Sequence, residues 1–174
     1  MMSRILLFTG DGKGKTTAAL GMAVRAAGHN MRVCVIQFIK DRRQAAGEDK
    51  ILSSLPGVEL IKMGRGFVPD RGHKDFPAHR EMAQKALKMA AEKIRQKSCD
   101  LLVLDEINTA CACHLLEAEE VTALIREIPD SFILVLTGRD APETFVNLAD
   151  TVTMMKCEKH GFNQGIAAEK GVEY

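Results

Sequence analysis

The chain has 174 residues and is 46% hydrophobic, so it can bury one good-sized core and is expected to form a single domain over residues 1–174. Its 24 basic and 23 acidic residues give a net charge of +1, which offers no electrostatic case for binding nucleic acid or a membrane surface. No apolar run approaches membrane-spanning length, and five cysteines, an odd number, are typical of reduced thiols in a cytoplasmic protein.

Six short apolar runs rich in Val, Ile and Leu predict β-strands, in chain order at 4–9, 32–38, 58–62, 101–105, 132–137 and 151–155. Several are apolar at consecutive positions, which is typical of strands buried on both faces of a parallel sheet. Segments with helical spacing lie between them, at 17–27, 77–97 and 117–128. The alternation predicts an α/β fold with a mostly parallel sheet of about six strands flanked by helices.

Parallel sheets of this kind bind ligands at the carboxyl ends of their strands. The rule directs attention to five segments, at 9–17, 38–43, 63–72, 105–108 and 137–142. The stretch 64–76 is rich in Gly, Pro, Arg and Asp and has no clear period. We interpret it as a loop, and a loop of that length in a compact domain is often functional.

The first of these segments has the composition of a phosphate-binding loop. A predicted strand leads into three glycines, and an alanine-rich helix follows; the glycines are Gly10, Gly12 and Gly14. Unpaired amide groups and the positive dipole end at a helix N-terminus attract anions, and glycine lets backbone come close to phosphate oxygens. Thr9 stands where the usual pattern has its first glycine, and Gly10 could serve that turn in a tighter loop.

The side chains of the same loop suit a nucleotide. Lys15 would reach the terminal phosphates, and Thr16 would offer its hydroxyl to Mg²⁺. Lys13 adds a second positive charge. Strand, loop and helix fall in the order that such a site requires.

A second acidic element follows at LLVLDEIN, residues 101–108. A strand that ends in Asp105 and Glu106 places carboxylates beside the phosphate loop, and Mg²⁺ takes one or two carboxylates from a protein. Glu106 could position water for hydrolysis, as in ATPases, or could serve only as a metal ligand. The residues therefore support a site for magnesium and a nucleoside triphosphate without choosing a reaction.

Seven stretches, in order along nearly the whole chain, resemble one known family: TGDGKGKTTAALG, VCVIQFIK, KMGRGF, LLVLDEIN, LVLTGRDAP, LADTV and KHGFNQGIAAEKGVEY. The family is that of the P-loop corrinoid adenosyltransferases, also called cob(I)alamin adenosyltransferases, and GDGKGKT is its own variant of the loop. The resemblance implies a RecA-like P-loop fold, a homodimer and an electron-donating reductase as partner. It implies transfer of the 5′-deoxyadenosyl group of ATP to Co(I) of cobalamin or a related corrinoid, with triphosphate released whole.

The resemblance also implies roles for individual residues. ATP would be bound by Gly10, Asp11, Gly12, Lys13, Gly14, Lys15, Thr16 and Thr17, with Asp11 near the ribose. Mg²⁺ would be held by Thr16, Glu106 and Asp105. The catalytic groups would be Lys15, Glu106 and Arg139. Phe67 matches a corrinoid-facing aromatic residue, but Pro69 stands where well-known members carry tryptophan.

The implied reaction suits a chain without an evident catalytic triad. Co(I) is a strong, unprotonated nucleophile, so the protein has only to align it with C5′ and stabilise the leaving triphosphate. Two other functions remain open from the residues alone. One is a RecA-like ATPase or small-molecule kinase, and the other is a non-catalytic corrinoid or nucleotide carrier.

Some residues that could suggest a cofactor site are interpreted as packing residues. Cys111 and Cys113 lie in a segment of helical composition, so their side chains would point about 200° apart, which does not suit a zinc site. Four methionines are interpreted as core residues: Met82, Met89, Met154 and Met155. His73 and His79 are expected to lie in a surface loop.

Overall fold

A computed structural model describes residues 2–41, 43 and 46–172. In this part of the chain the strands are β1 (Arg4–Thr9), β2 (Val33–Asp41), β3 (Val58–Gly64), β4 (Leu101–Asp105), β5 (Ile133–Thr137) and β6 (Thr151–Met154). They form one sheet in the order β3-β2-β4-β5-β1-β6, and every pairing is parallel. The predicted α/β class with a six-stranded parallel sheet is confirmed.

Helices connect the strands, as parallel pairing requires. They are α1 (Lys15–Gly28), α2 (Gly47–Leu52), α3 (Phe76–Arg95), α4 (Ile107–Ala112), α5 (Ala118–Arg126) and α6 (Glu143–Leu148), and a short 3₁₀-helix follows at Gly161–Gln164. The three longest helices match the segments with helical spacing. Neither α2 nor α6 was predicted, because six residues are too few to display a helical period.

The sheet is buried on both faces, which explains the runs of consecutive apolar residues. In β4, Leu101 and Val103 pack into the cluster formed with α1, whereas Leu102 and Leu104 pack into the cluster formed with α3 and α5. All four side chains are at most 2% exposed. Cys111 belongs to the second of these clusters, which confirms its interpretation as a packing residue.

Two expectations about burial were wrong. Met154 is 73% exposed because β6 is an edge strand whose four residues are all exposed, while the other three methionines are partly buried against the core. His79 is buried in the first turns of α3 rather than lying in a surface loop. No helix of the described residues has the length and apolar character needed to cross a bilayer.

Candidate active site

The phosphate loop, residues 10–17, lies at the carboxyl end of β1, and its last three residues belong to the first turn of α1. Gly14 precedes the helix in a left-handed conformation, with φ of 113°, and α1 begins at Lys15. The ammonium of Lys15 donates hydrogen bonds to the carbonyl oxygens of Gly10 at 2.7 Å and Gly12 at 2.6 Å. The lysine thus spans the loop from within, and it is 7% exposed.

The start of the loop packs against the chain that leaves β6. The amide of Gly12 donates a 2.7 Å hydrogen bond to the carbonyl of Met155, and a Cβ on Gly12 would lie 2.8 Å from that same oxygen. Gly10 has φ of 93°, and a Cβ there would collide with the Met155 carbonyl. Glycine is therefore required at both positions by the close approach of the backbone that follows β6.

Thr9, which replaces the first glycine of the usual pattern, belongs to the end of β1 itself. It is 4% exposed, and its hydroxyl accepts a 3.3 Å hydrogen bond from the amide of Ala141. The turn begins one residue later, at Gly10, as expected for a tighter loop.

Asp105 is fully buried at the end of β4 and accepts hydrogen bonds from three side chains. The hydroxyl of Thr16 donates to Oδ1 at 2.8 Å and that of Thr137 donates to the same oxygen at 2.7 Å. The amide of Gln37 donates to Oδ2 at 2.9 Å. Two neighbouring strands, β2 and β5, and the phosphate loop therefore each donate a hydrogen bond to this one carboxylate at the end of β4.

The oxygen atoms around Asp105 fit a magnesium ion. Mg²⁺ favours oxygen ligands and retains several waters. Thr16 offers a hydroxyl directly beside the Asp105 carboxylate, and Oε1 of Gln37 is buried without a hydrogen-bond partner among the described residues. A buried acceptor of this kind is suited to a metal-bound water.

Glu106 lies at the junction of β4 and α4 in a left-handed conformation, with φ of 64°. Its amide donates a 3.0 Å hydrogen bond to the Thr137 hydroxyl, and its Oε2 accepts one from the hydroxyl of Thr109. Burial raises the pKa of Glu106, while the Thr109 hydrogen bond lowers it. A non-glycine residue held at positive φ is typical of a functional position.

Arg139 follows β5 and is tied to the same region. Its amide donates a 3.0 Å hydrogen bond to the Thr109 hydroxyl. Burial lowers the pKa of Lys15, the negative charge of Glu106 raises it, and the positive charge of Arg139 lowers it. Lys15, Glu106 and Arg139, the three predicted catalytic groups, therefore lie close enough to act on one another electrostatically.

Asp11 connects the phosphate loop to the C-terminal segment, residues 156–172, which we call the tail. Its Oδ1 accepts a 3.1 Å hydrogen bond from the amide of Cys157. A cavity of about 700 Å³ lies between the loop and the tail, lined by Gly12, Lys13 and tail residues that include Phe162 and Ile166. This arrangement has no local signal in the sequence, because the tail has no helical or strand period.

Phe67 stands apart from this network. It is 93% exposed in the loop that follows β3, so it is not a core residue. In the sheet β3 lies four places from β1, which corresponds to roughly 19 Å at the usual strand spacing. Among the sequence-predicted site residues, the structure therefore brings the phosphate loop, Asp105, Glu106 and Arg139 together and leaves Phe67 at a distance.

Comparison with known proteins identifies the family. The family model described as ATP:corrinoid adenosyltransferase BtuR/CobO/CobP matches residues 2–174. The chain belongs to this family. Corrinoid adenosyltransferase from Escherichia coli K12 is 40% identical over 98% of this chain and 85% of its own length, and the Pseudomonas aeruginosa protein of that name is 40% identical over 98% and 83%. The resemblance expected from the motifs is confirmed, and with it the class of enzyme, a transferase.

Solved structures with little sequence identity show the fold. The KaiC-like protein PH0186 from Pyrococcus horikoshii has a TM-score of 0.58 at 15% identity, covering 89% of this chain and 71% of that one. FlaH from Methanocaldococcus jannaschii has a TM-score of 0.58 at 14% identity, covering 87% and 70%. This adenosyltransferase family member therefore has the expected RecA-like P-loop fold.

Proposed function

We propose that this chain transfers the 5′-deoxyadenosyl group of ATP to Co(I) of cobalamin or a related corrinoid and releases triphosphate intact. The observation that carries the proposal is the hydrogen bond from Thr16 to Asp105, which joins a phosphate loop to a buried carboxylate in a member of this family. ATP and a corrinoid are the substrates that the family implies.

In the proposed reaction, Co(I) attacks C5′ of ATP with its own electron pair. The cobalt–carbon bond forms as the bond from C5′ to the bridging oxygen breaks, and that oxygen takes the departing electrons. Lys13, Lys15 and the amides of the phosphate loop stabilise the developing charge, and loss of one such donor typically costs about 3–4 kcal/mol. Alignment of the reacting atoms can contribute up to roughly 7–11 kcal/mol.

We propose that Thr16, Asp105 and Glu106 hold Mg²⁺, with Asp105 also orienting the Thr16 hydroxyl through their 2.8 Å hydrogen bond. The ion would neutralise charge on the triphosphate. Gln37 supports this assignment because its buried Oε1 faces no donor among the described residues. Arg139 would add positive charge, and the ribose would lie near Asp11.

For the corrinoid we propose a contact with Phe67. Its ring is apolar and exposed, and it cannot coordinate cobalt, so it suits the expulsion of a lower axial ligand that otherwise stabilises Co(II) against reduction. Pro69 leaves the neighbouring position without the aromatic residue found in well-known members. A reductase would supply the electron.

We also propose a homodimer, on the family resemblance, and a single domain. A cytoplasmic location is supported by Cys34, Cys99 and Cys111, which are buried as packing thiols, and burial raises the pKa of Cys34 to about 12.

A product assay tests the function. With ATP and chemically reduced cobalamin we expect inorganic triphosphate and a light-sensitive cobalt–carbon product in equal amounts. Formation of ADP would indicate an ATPase or kinase instead, and the absence of any turnover would indicate a carrier. Omitting the reductant is the control, because without Co(I) no triphosphate should be released.

A further inference from the structure

One hydroxyl connects two of the proposed catalytic residues. Thr109 Oγ1 donates a hydrogen bond to Oε2 of Glu106 and accepts a 3.0 Å hydrogen bond from the amide of Arg139. The two partners come from different parts of the chain, one from the end of β4 and the other from the loop after β5. A threonine hydroxyl has one hydrogen and two lone pairs, so it can serve both at once.

The backbone on either side is fixed around Thr109. Glu106 has φ of 64° and Gly138 has φ of 131°, so the chain turns sharply on both sides of the hydroxyl. A Cβ on Gly138 would lie 2.7 Å from the amide nitrogen of Thr109 and 2.8 Å from its hydroxyl oxygen. The loop that carries Arg139 is thus packed directly onto Thr109, and glycine is needed for that approach.

The bond to Glu106 engages a specific carboxylate oxygen. Glu106 is a half-buried acid that would have to be presented to a cation, and a flexible side chain loses rotamer freedom when it is held in one orientation. The Thr109 bond holds Oε2 and so restricts the directions in which the carboxylate can turn. Hydrogen bonds to charged groups contribute more than those between neutral groups, so this one can set the rotamer.

We propose that Thr109 is a positioning residue that holds the Glu106 carboxylate toward magnesium–ATP and braces the Arg139 loop against it. The proposal rests on the proposed function for the identity of the nucleotide. Thr109 itself touches no reacting atom; it acts through Glu106.

The test measures ATP affinity by calorimetry in Mg²⁺ with the corrinoid withheld, so that no turnover occurs. Thr109→Val keeps the shape and removes the hydroxyl, and we expect roughly a tenfold to hundredfold loss of affinity. Thr109→Ser keeps the hydroxyl and should stay within about threefold of the wild type. Thr122→Val is the matched control, because it removes a 3.3 Å threonine–threonine hydrogen bond between α5 and α6 that involves none of the proposed site residues.

A double-mutant cycle separates positioning from general packing. In a Glu106→Ala background, Thr109→Val should cost less than about threefold, since the carboxylate that it orients is already gone. Fully additive losses, a serine variant no better than valine, or a valine variant equal to wild type would each overturn the proposal. If the valine variant fails to fold, Thr109→Ala enters the same cycle. The wild-type product assay reports separately on the proposed function, because it requires no Thr109 variant.

Discussion

The hydroxyl of Thr16 lies 2.8 Å from Oδ1 of Asp105, although 89 positions separate the two residues in the chain. Thr137 and Gln37 donate to the same carboxylate, so its orientation is fixed by two strands besides its own. The side chains proposed to hold magnesium are therefore oriented by hydrogen bonds to other parts of the fold. Groups held in place in this way need little reorganisation during a reaction.

Replacement of Lys15 tests the leaving-group argument. Lys15→Ala should lower turnover by roughly two orders of magnitude or more, because it removes a buried cation from the proposed triphosphate site. Lys85→Ala is the control, since Lys85 pairs with Glu81 on the exposed face of α3. The measurement is the rate of triphosphate release with reduced cobalamin. Near-normal release by the Lys15 variant would contradict the role of the loop.

Replacement of Glu106 should separate stability from activity. Because burial raises the pKa of Glu106, its contribution to stability is fully present below the ordinary carboxyl pKa and is lost as the pH rises through the raised value. At neutral pH without nucleotide, Glu106→Gln should therefore melt at a higher temperature than the wild type, and the difference should shrink in acid. Turnover should fall by about a hundredfold. Thermal melts from pH 4 to 8 measure the change in stability, and the triphosphate assay measures the loss of turnover. A Glu106→Gln variant that melts below the wild type at neutral pH would contradict the expected gain in stability.

Two glycine substitutions should change the free energy of unfolding in opposite directions. Gly10→Ala puts a side chain at φ of 93° against the Met155 carbonyl, so it should destabilise the protein by about 2 kcal/mol or more and weaken ATP binding. Gly21→Ala, in the middle of α1 with open space around it, should stabilise by about 0.5–1 kcal/mol. Urea denaturation and ATP titration of both variants provide the comparison. Equal stability of the two variants would show that the loop yields easily at Gly10.

Phe67 should matter to the corrinoid and not to the fold. Phe67→Asp should change the free energy of unfolding by no more than about 0.5 kcal/mol, because the ring is exposed. The substitution should slow the reduction of Co(II) in the bound corrinoid by at least about tenfold, because an apolar contact with the corrinoid is lost. The affinity for ATP should change little. Phe145→Ala, at a fully buried ring, is the contrasting variant and should cost about 3–5 kcal/mol. Visible spectra of the bound corrinoid follow the reduction, and an equal loss of ATP binding would exclude a specific role.

The strands and long helices could be predicted because their signals are local. Consecutive apolar residues in β4 predicted a strand that is covered on both faces. Glycines at a strand–helix junction indicated the phosphate loop. Asp105 and Glu106 could be placed near the loop because carboxyl ends of parallel strands share one edge.

Contacts between distant segments could not be predicted. The hydrogen bonds that Thr109 makes to Glu106 and Arg139 depend on the left-handed conformation of Glu106. Glycine and asparagine favour that conformation, so a glutamate gives no indication of it in the sequence. The hydrogen bond from the Gly12 amide to the Met155 carbonyl depends on the pairing of β6 with β1 at the edge of the sheet. The exposure of Met154 follows from that same edge position and not from its own residue type.

The hydrogen bond between the Gly12 amide and the Met155 carbonyl affects when the phosphate loop can form during synthesis of the protein on the ribosome. The nascent chain emerges with its N-terminus first, so residues 10–17 leave the ribosome long before the segment against which they rest. The phosphate loop can take its final form only after nearly all of the protein has been made. A chain that terminates before residue 155 would retain every glycine and lysine of the loop and still lack the support that shapes it.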